Sequence, residues 1–140
     1  MQRRWPQAEE QARIVLTKGP GNKEARLFLA DALFGQERYA EAAPAYREYL
    51  KTEPGNAHAL TNLGITLIAD SKLEEAIVLF RRAVDADPQN PNLRRILGMA
   101  LLDRGDAEGA AAQAREGVAL SPNDPAMRDL LVRAASAGRH

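Results

Sequence analysis

The 140-residue sequence predicts an all-α fold, built from antiparallel helix hairpins that recur every 34 residues, about eight helices in all. Three observations carry this. Pro20, Pro54, Pro88 and Pro122 are 34 residues apart. The same step links Ala8, Ala42, Ala76 and Ala110, then Leu29, Leu63, Leu97 and Leu131, then Arg13, Arg47, Arg81 and Arg115. Inside each period the apolar residues recur at intervals of three and four, the spacing of one helix face. The composition agrees, since 26 Ala and 17 Leu with few β-branched residues favour helix over sheet.

In chain order, residues 1–22 read as a lone helix. Pro6 suits its first turn, and Gly19-Pro20-Gly21-Asn22 is its stop. Residues 23–56 form a hairpin, with Leu29, Ala30 and Leu33 on the first helix and Ala42 and Tyr46 on the second. Pro44 falls inside that second helix, where it removes a hydrogen bond to Ala40; a mild bend is expected, not a break. Residues 57–90 are the most regular hairpin. Leu60, Leu63, Gly64 and Leu67 share one face, Ala76, Leu79, Phe80 and Ala83 another, and Asp70-Ser71-Lys72 breaks between them. In 91–124 the break is Asp103-Arg104-Gly105-Asp106, with Gly105 suited to a left-handed turn. Residues 125–140 hold a closing helix. The small residues at Ala30, Gly64 and Gly98, opposite Ala42, Ala76 and Ala110, let the two helices of a hairpin approach closely. One hairpin cannot bury both its faces, whereas a stack of copies can.

These positions resemble the packing pattern of the tetratricopeptide repeat family. Residues 57–90 match best, through Leu60, Leu63, Gly64, Leu67, Ala76, Phe80, Ala83 and Pro88. Departures fall at Arg26 and Tyr49 in the first full unit and at Arg94 and Ala114 in the third, whose core is expected to be thinner. The resemblance implies a right-handed α-solenoid and a single domain over 1–140. Its parts are a half repeat at 1–22 (second helix only), repeats at 23–56, 57–90 and 91–124, and a capping half repeat at 125–140. The opening half repeat leaves the apolar flank of Ala8, Ala12 and Val15 without its usual cover. The expectation is a segment of a longer protein, or another chain covering that end.

Charge and chemistry narrow the function. Nineteen basic and nineteen acidic residues balance to zero, which argues against gripping nucleic acid through bulk charge. No apolar run approaches the roughly 18 residues of a membrane helix, and no signal-peptide pattern opens the chain. The default expectation is therefore a soluble cytoplasmic chain with no membrane insertion. Without Cys there is no disulfide framework or thiolate site, and His58 and His140 have no metal-ligand spacing. No catalytic, cofactor or metal site is expected, and the chain reads as non-enzymatic. Arg104-Gly105-Asp106 is an adhesion tripeptide by letters, but Gly105 is better explained as the turn residue between two helices.

In the family that these residues resemble, the first helices line a concave groove, and the resemblance implies a lining here. The first unit would contribute Glu24, Leu27, Phe28, Asp31 and Phe34, and the second His58, Thr61, Asn62, Ile65 and Ile68. The third would add Asn92, Arg95, Ile96, Met99 and Leu102, and the last half repeat Asp129 and Arg133. Ile68 and Leu102 could equally pack against the adjacent helix. Members that hold the C-terminal carboxylate of heat-shock chaperones carry Lys and Asn on the first unit, Asn on the second, and Lys and Arg on the third. The matching residues here are Leu27 and Asp31, then Asn62, then Asn92 and Ile96, so only Asn62 agrees. The expected partner is a protein with an apolar or amphipathic segment. Three or four engaged side chains at about 1.5–3 kcal/mol each, against an association cost of about 4–15 kcal/mol, imply roughly micromolar affinity. The alternatives are a self-assembling structural module, a homo-oligomer through its terminal helices, and an accessory segment of a larger enzyme or membrane protein.

Overall fold

The chain is described from a computed structural model, which covers residues 4–139. Those residues form α1 (Trp5–Lys18), α2 (Lys23–Gly35), α3 (Tyr39–Thr52), α4 (Ala57–Ala69), α5 (Leu73–Ala86), α6 (Pro91–Arg104), α7 (Ala107–Leu120) and α8 (Pro125–Ala137), with no strand among the described residues. The odd helices start at residues 5, 39, 73 and 107 and the even ones at 23, 57, 91 and 125. Both series advance by 34. None of these helices is long and apolar enough to cross a membrane.

The period extends to the ends of the helices. Asn22, Asn56, Asn90 and Asp124 each place a side-chain oxygen on a first-turn amide, at 2.9–3.0 Å. Each cap satisfies an N–H that the helix itself leaves without a partner. The turns leading into the odd helices repeat as well. Glu37, Ser71 and Gly105, again 34 apart, all have positive φ, at 58°, 60° and 93°. Left-handed backbone costs an L-residue about 1–2 kcal/mol and glycine almost nothing. Ser71→Gly should therefore raise the urea midpoint, by up to about 1 kcal/mol of stability, and Gly105→Ala should lower it by a similar amount.

Two compact units divide the chain, residues 1–72 and 73–140. In the first, α1 packs on α2, α2 on α3 and α3 on α4, and α2 also meets α4. Ala30, Leu33, Ala42 and Tyr46 are buried at this core. α3 runs through Pro44 without ending. The two departures from the repeat pattern each have a local use. Arg26 donates Nε and Nη2 to the Pro20 carbonyl, at 3.0 and 2.7 Å, and so closes the α1–α2 turn. The buried Tyr49 accepts from Asn56 Nδ2 at 3.0 Å and so braces the cap of α4.

In the second unit, α5 packs on α6, α6 on α7, and α8 on both α6 and α7. A Cβ at Gly98 would lie 2.7 Å from the terminal Leu130 Cδ2 and 3.5 Å from the Ala110 carbonyl oxygen, so a side chain there would displace the Leu130 methyl. The second helix is thin at Ala114 and Gly117, as expected, but the core is not. Met127 from α8 is fully buried and joins Ala114 and Leu130 in one cluster. A Cβ at Gly117 would collide with its thioether. Arg94 donates to Gln113 Oε1 at 3.2 Å, a polar pair where the 57–90 repeat has Leu60 and Leu79.

Candidate interaction groove

The first unit holds an apolar groove of about 900 Å³, open to solvent and lined by α1, α2 and α4. α1 contributes Trp5, Ala8, Gln11, Ala12 and Val15. These residues recur at three and four and fall on one helix face. α2 contributes Glu24, Ala25, Phe28, Asp31, Phe34 and Gly35, and α4 adds His58 and Asn62. Phe28 is 61% exposed and Val15 40%, a large apolar surface left to water inside a concave space. Trp5 lies against Gly35, where a side chain would collide with the indole.

Polar contacts hold the walls in place. Glu9 reaches from α1 to the α2–α3 turn, accepting from Arg38 Nη1 at 2.6 Å and Gln36 Nε2 at 3.0 Å. The Gln36 hydrogen bond, followed by that of Arg13, holds the Glu9 carboxyl below its ordinary pKa. Across the groove, Asp31 Oδ1 accepts from the Tyr46 hydroxyl at 2.5 Å and pairs with His58 Nε2 at 2.8 Å. Asn62 Nδ2 donates to the Tyr46 oxygen at 3.0 Å. Burial, reinforced by Asp31, drives the Tyr46 pKa far up, so the phenol stays neutral and donating. Phe34 packs edge-on to Tyr46 and Tyr39, with centroids 6.3 and 5.7 Å away.

The hydrogen bond to Asp31 raises the His58 pKa above 6.5, outweighing desolvation. The linked stability is full below the unfolded value and fades as pH rises through the higher folded one. Unfolding midpoints should therefore fall slightly between about pH 6 and 8, by roughly 0.5 kcal/mol or less because the imidazole is half exposed and screened. His58→Gln should flatten that pH response in a denaturation series.

The expected lining is brought together only in part. Glu24, Phe28, Asp31, Phe34, His58 and Asn62 share this groove. Leu27 lies instead beside Lys23, Tyr49 and Glu53, in a smaller cleft. Thr61 is buried, with its hydroxyl donating to the Ala57 carbonyl. Ile65 is half-buried and Ile68 is 40% exposed. In the second unit, Arg95 binds Asn92 Oδ1 at 2.6 Å and approaches Met99 Sδ at 3.5 Å. Met99 is 40% exposed, Ile96 is half-buried, and Leu102 packs against the Met127 cluster. Asp129 and Arg133 form an exposed pair at 3.8 Å on α8. The α1 flank and the α2 face form one groove, in which Ala12 is buried while Val15 stays open to water. The available signal was register, because Phe28 stands where Leu130 stands in α8.

Helices in phase, common caps and an open groove on α1, α2 and α4 define an α-helical repeat protein. Family models of the tetratricopeptide repeat match residues 2–57, 29–91 and 67–134, and the chain belongs to that family. No curated protein matches it. Among solved structures, a MamA from AMB-1 is similar at 25% identity and a TM-score of 0.85, over 98% of this chain and 82% of that one. A MamA double mutant from RS-1 is similar at 24% identity and a TM-score of 0.80, over 84% of this chain and only 66% of that one. The first TPR of Spaghetti (RPAP3), bound to the HSP90 peptide SRMEEVD, is similar at 21% identity and a TM-score of 0.72, over 79% and 88%. These likenesses show the fold.

Proposed function

We propose that this chain is a non-enzymatic protein-interaction scaffold that seats an apolar or amphipathic helix of a protein partner in the groove of α1, α2 and α4. The observation that carries this reading is Phe28, 61% exposed within a strongly apolar concavity. A patch of that kind, rimmed by polar groups, marks an interaction surface. Its shape favours the helix-in-groove mode, anchored by a few side chains at helical spacing. An acidic tail such as the SRMEEVD of the RPAP3 complex suits it less well. Glu24 and Asp31 line the groove, and Leu27 and Asp31 stand at two clamp positions of the subtype that binds such tails.

Capture from lysate with the chain as bait, beside a Phe28→Asp variant of unchanged circular dichroism, tests the reading. A protein held by the original and lost by the variant is the expected result, with at least about a tenfold loss of affinity. Equal capture by both baits would overturn it.

A further inference from the structure

The geometry points to one occupant of this groove, helix α8 of a second copy of the chain. The inference rests on the groove of the proposed function and names what fills it. In α2, Ala30 and Leu33 are buried, and so are Leu97, Gly98 and Leu101 at the corresponding face of α6. The same face of α8 carries Leu131, Val132 and Ala135; Val132 is 63% exposed and Ala135 is exposed. On α1, Ala8, Ala12 and Val15 stand in register with Ala110, Ala114 and Gly117, all buried in α7. One helix thus presents the face that takes a second helix, and another presents the face that takes a first.

Contacts inside the second unit show how the two would meet. There Gly98 of α6 lies on Leu130 of α8, which is 2% exposed. One period on from Gly98 is Val132, and three periods back from Leu130 is Phe28. Seating α8 of one copy on α1 and α2 of the next therefore brings Val132 to Phe28. They are the two most exposed large apolar side chains among the described residues, at 63% and 61%. The polar pair carries over too. Arg94 donates to Gln113, and the equivalent residues are Arg128 on α8 and Gln11 on the groove wall, both exposed. Ala12 stands at the place of Ala114, so the second helix is equally small in both, and the added bulk of Val132 and Phe28 over Gly98 and Leu130 goes into the open volume of the groove. The opposite face of α8, with Met127, Leu130 and Ala134, stays buried in its own unit.

Such a contact is heterologous and leaves a free groove on one copy and a free α8 on the other, so association continues beyond two. Sedimentation velocity on the full chain should show a sedimentation coefficient that rises with concentration. Val15→Glu blocks the groove and Val132→Glu blocks α8. Both side chains are substantially exposed, so both variants should keep the original circular dichroism. Each alone should be monomeric, with association weakened about tenfold or more. Mixed, they should form a 1:1 dimer and stop, because one intact groove then meets one intact α8. A chain that stays monomeric at every concentration overturns the inference. So does a Val132→Glu variant that self-associates like the original, or a mixture that forms no dimer. A strictly monomeric chain whose captured partner is still lost on Phe28→Asp would remove the second copy as occupant and leave the scaffold reading standing.

Discussion

Met127→Ala is expected to lower the free energy of unfolding by about 2–5 kcal/mol, the range for emptying a fully buried apolar site. Met127 is 0% exposed and fills the space that Ala114 and Gly117 leave on α7. A flexible thioether suits such an irregular gap. The same contact predicts a coupling. Gly117→Ala alone drives its new methyl into the Met127 side chain, whereas in a Met127→Ala background the methyl has room and the helix gains propensity, about 1 kcal/mol. The double variant should therefore lose less stability than the two single losses combined, by about 0.5–3 kcal/mol in a double-mutant cycle. Urea denaturation of the four proteins measures it. Simple additivity would show that Met127 and Gly117 do not share the space.

Tyr46 supports the second large effect, with two substitutions that separate volume from hydrogen bonding. Tyr46→Ala removes a fully buried ring, with its edge contact to Phe34, and should cost about 3–5 kcal/mol. Tyr46→Phe keeps the ring and deletes only the hydroxyl that donates to Asp31 and accepts from Asn62. That loss should be about 1–2 kcal/mol, most of it from the half-buried Asp31 carboxylate deprived of its shortest hydrogen bond. Equal losses for the two variants would mean that the hydrogen-bond network, not the packing of the ring, dominates the site.

The helices were legible in the sequence because they depend on local signals that repeat. Leu29, Leu63, Leu97 and Leu131 mark the first helices, and the prolines at 20, 54, 88 and 122 mark the turns that follow the second helices. The partners of the off-pattern residues were less legible. Arg26 reads as a defect in an apolar position until its guanidinium is seen on the Pro20 carbonyl, a contact set by how two helices meet at a turn. Met127 compensates Ala114 from thirteen residues away, through a packing relation that periodicity does not encode. The groove lining was half visible. Of the lining that the family resemblance implies, Phe28, Asp31, Phe34, His58 and Asn62 come together in one groove. Thr61 is instead buried, and Leu102 packs inward against the Met127 cluster, the alternative its helix face left open.

The shared phase of caps and turns bears on how such a gene can lengthen or shorten. With Asn22, Asn56 and Asn90 starting helices and Glu37, Ser71 and Gly105 turning the chain, every functional position of the backbone returns after 34 codons. Excising or duplicating one such block rejoins a cap to a helix and a turn to a turn. A block one codon longer or shorter rotates each following side chain by about 100° and carries apolar faces out into water. Unequal recombination at that length is therefore the cheap mutational route by which this chain can change size.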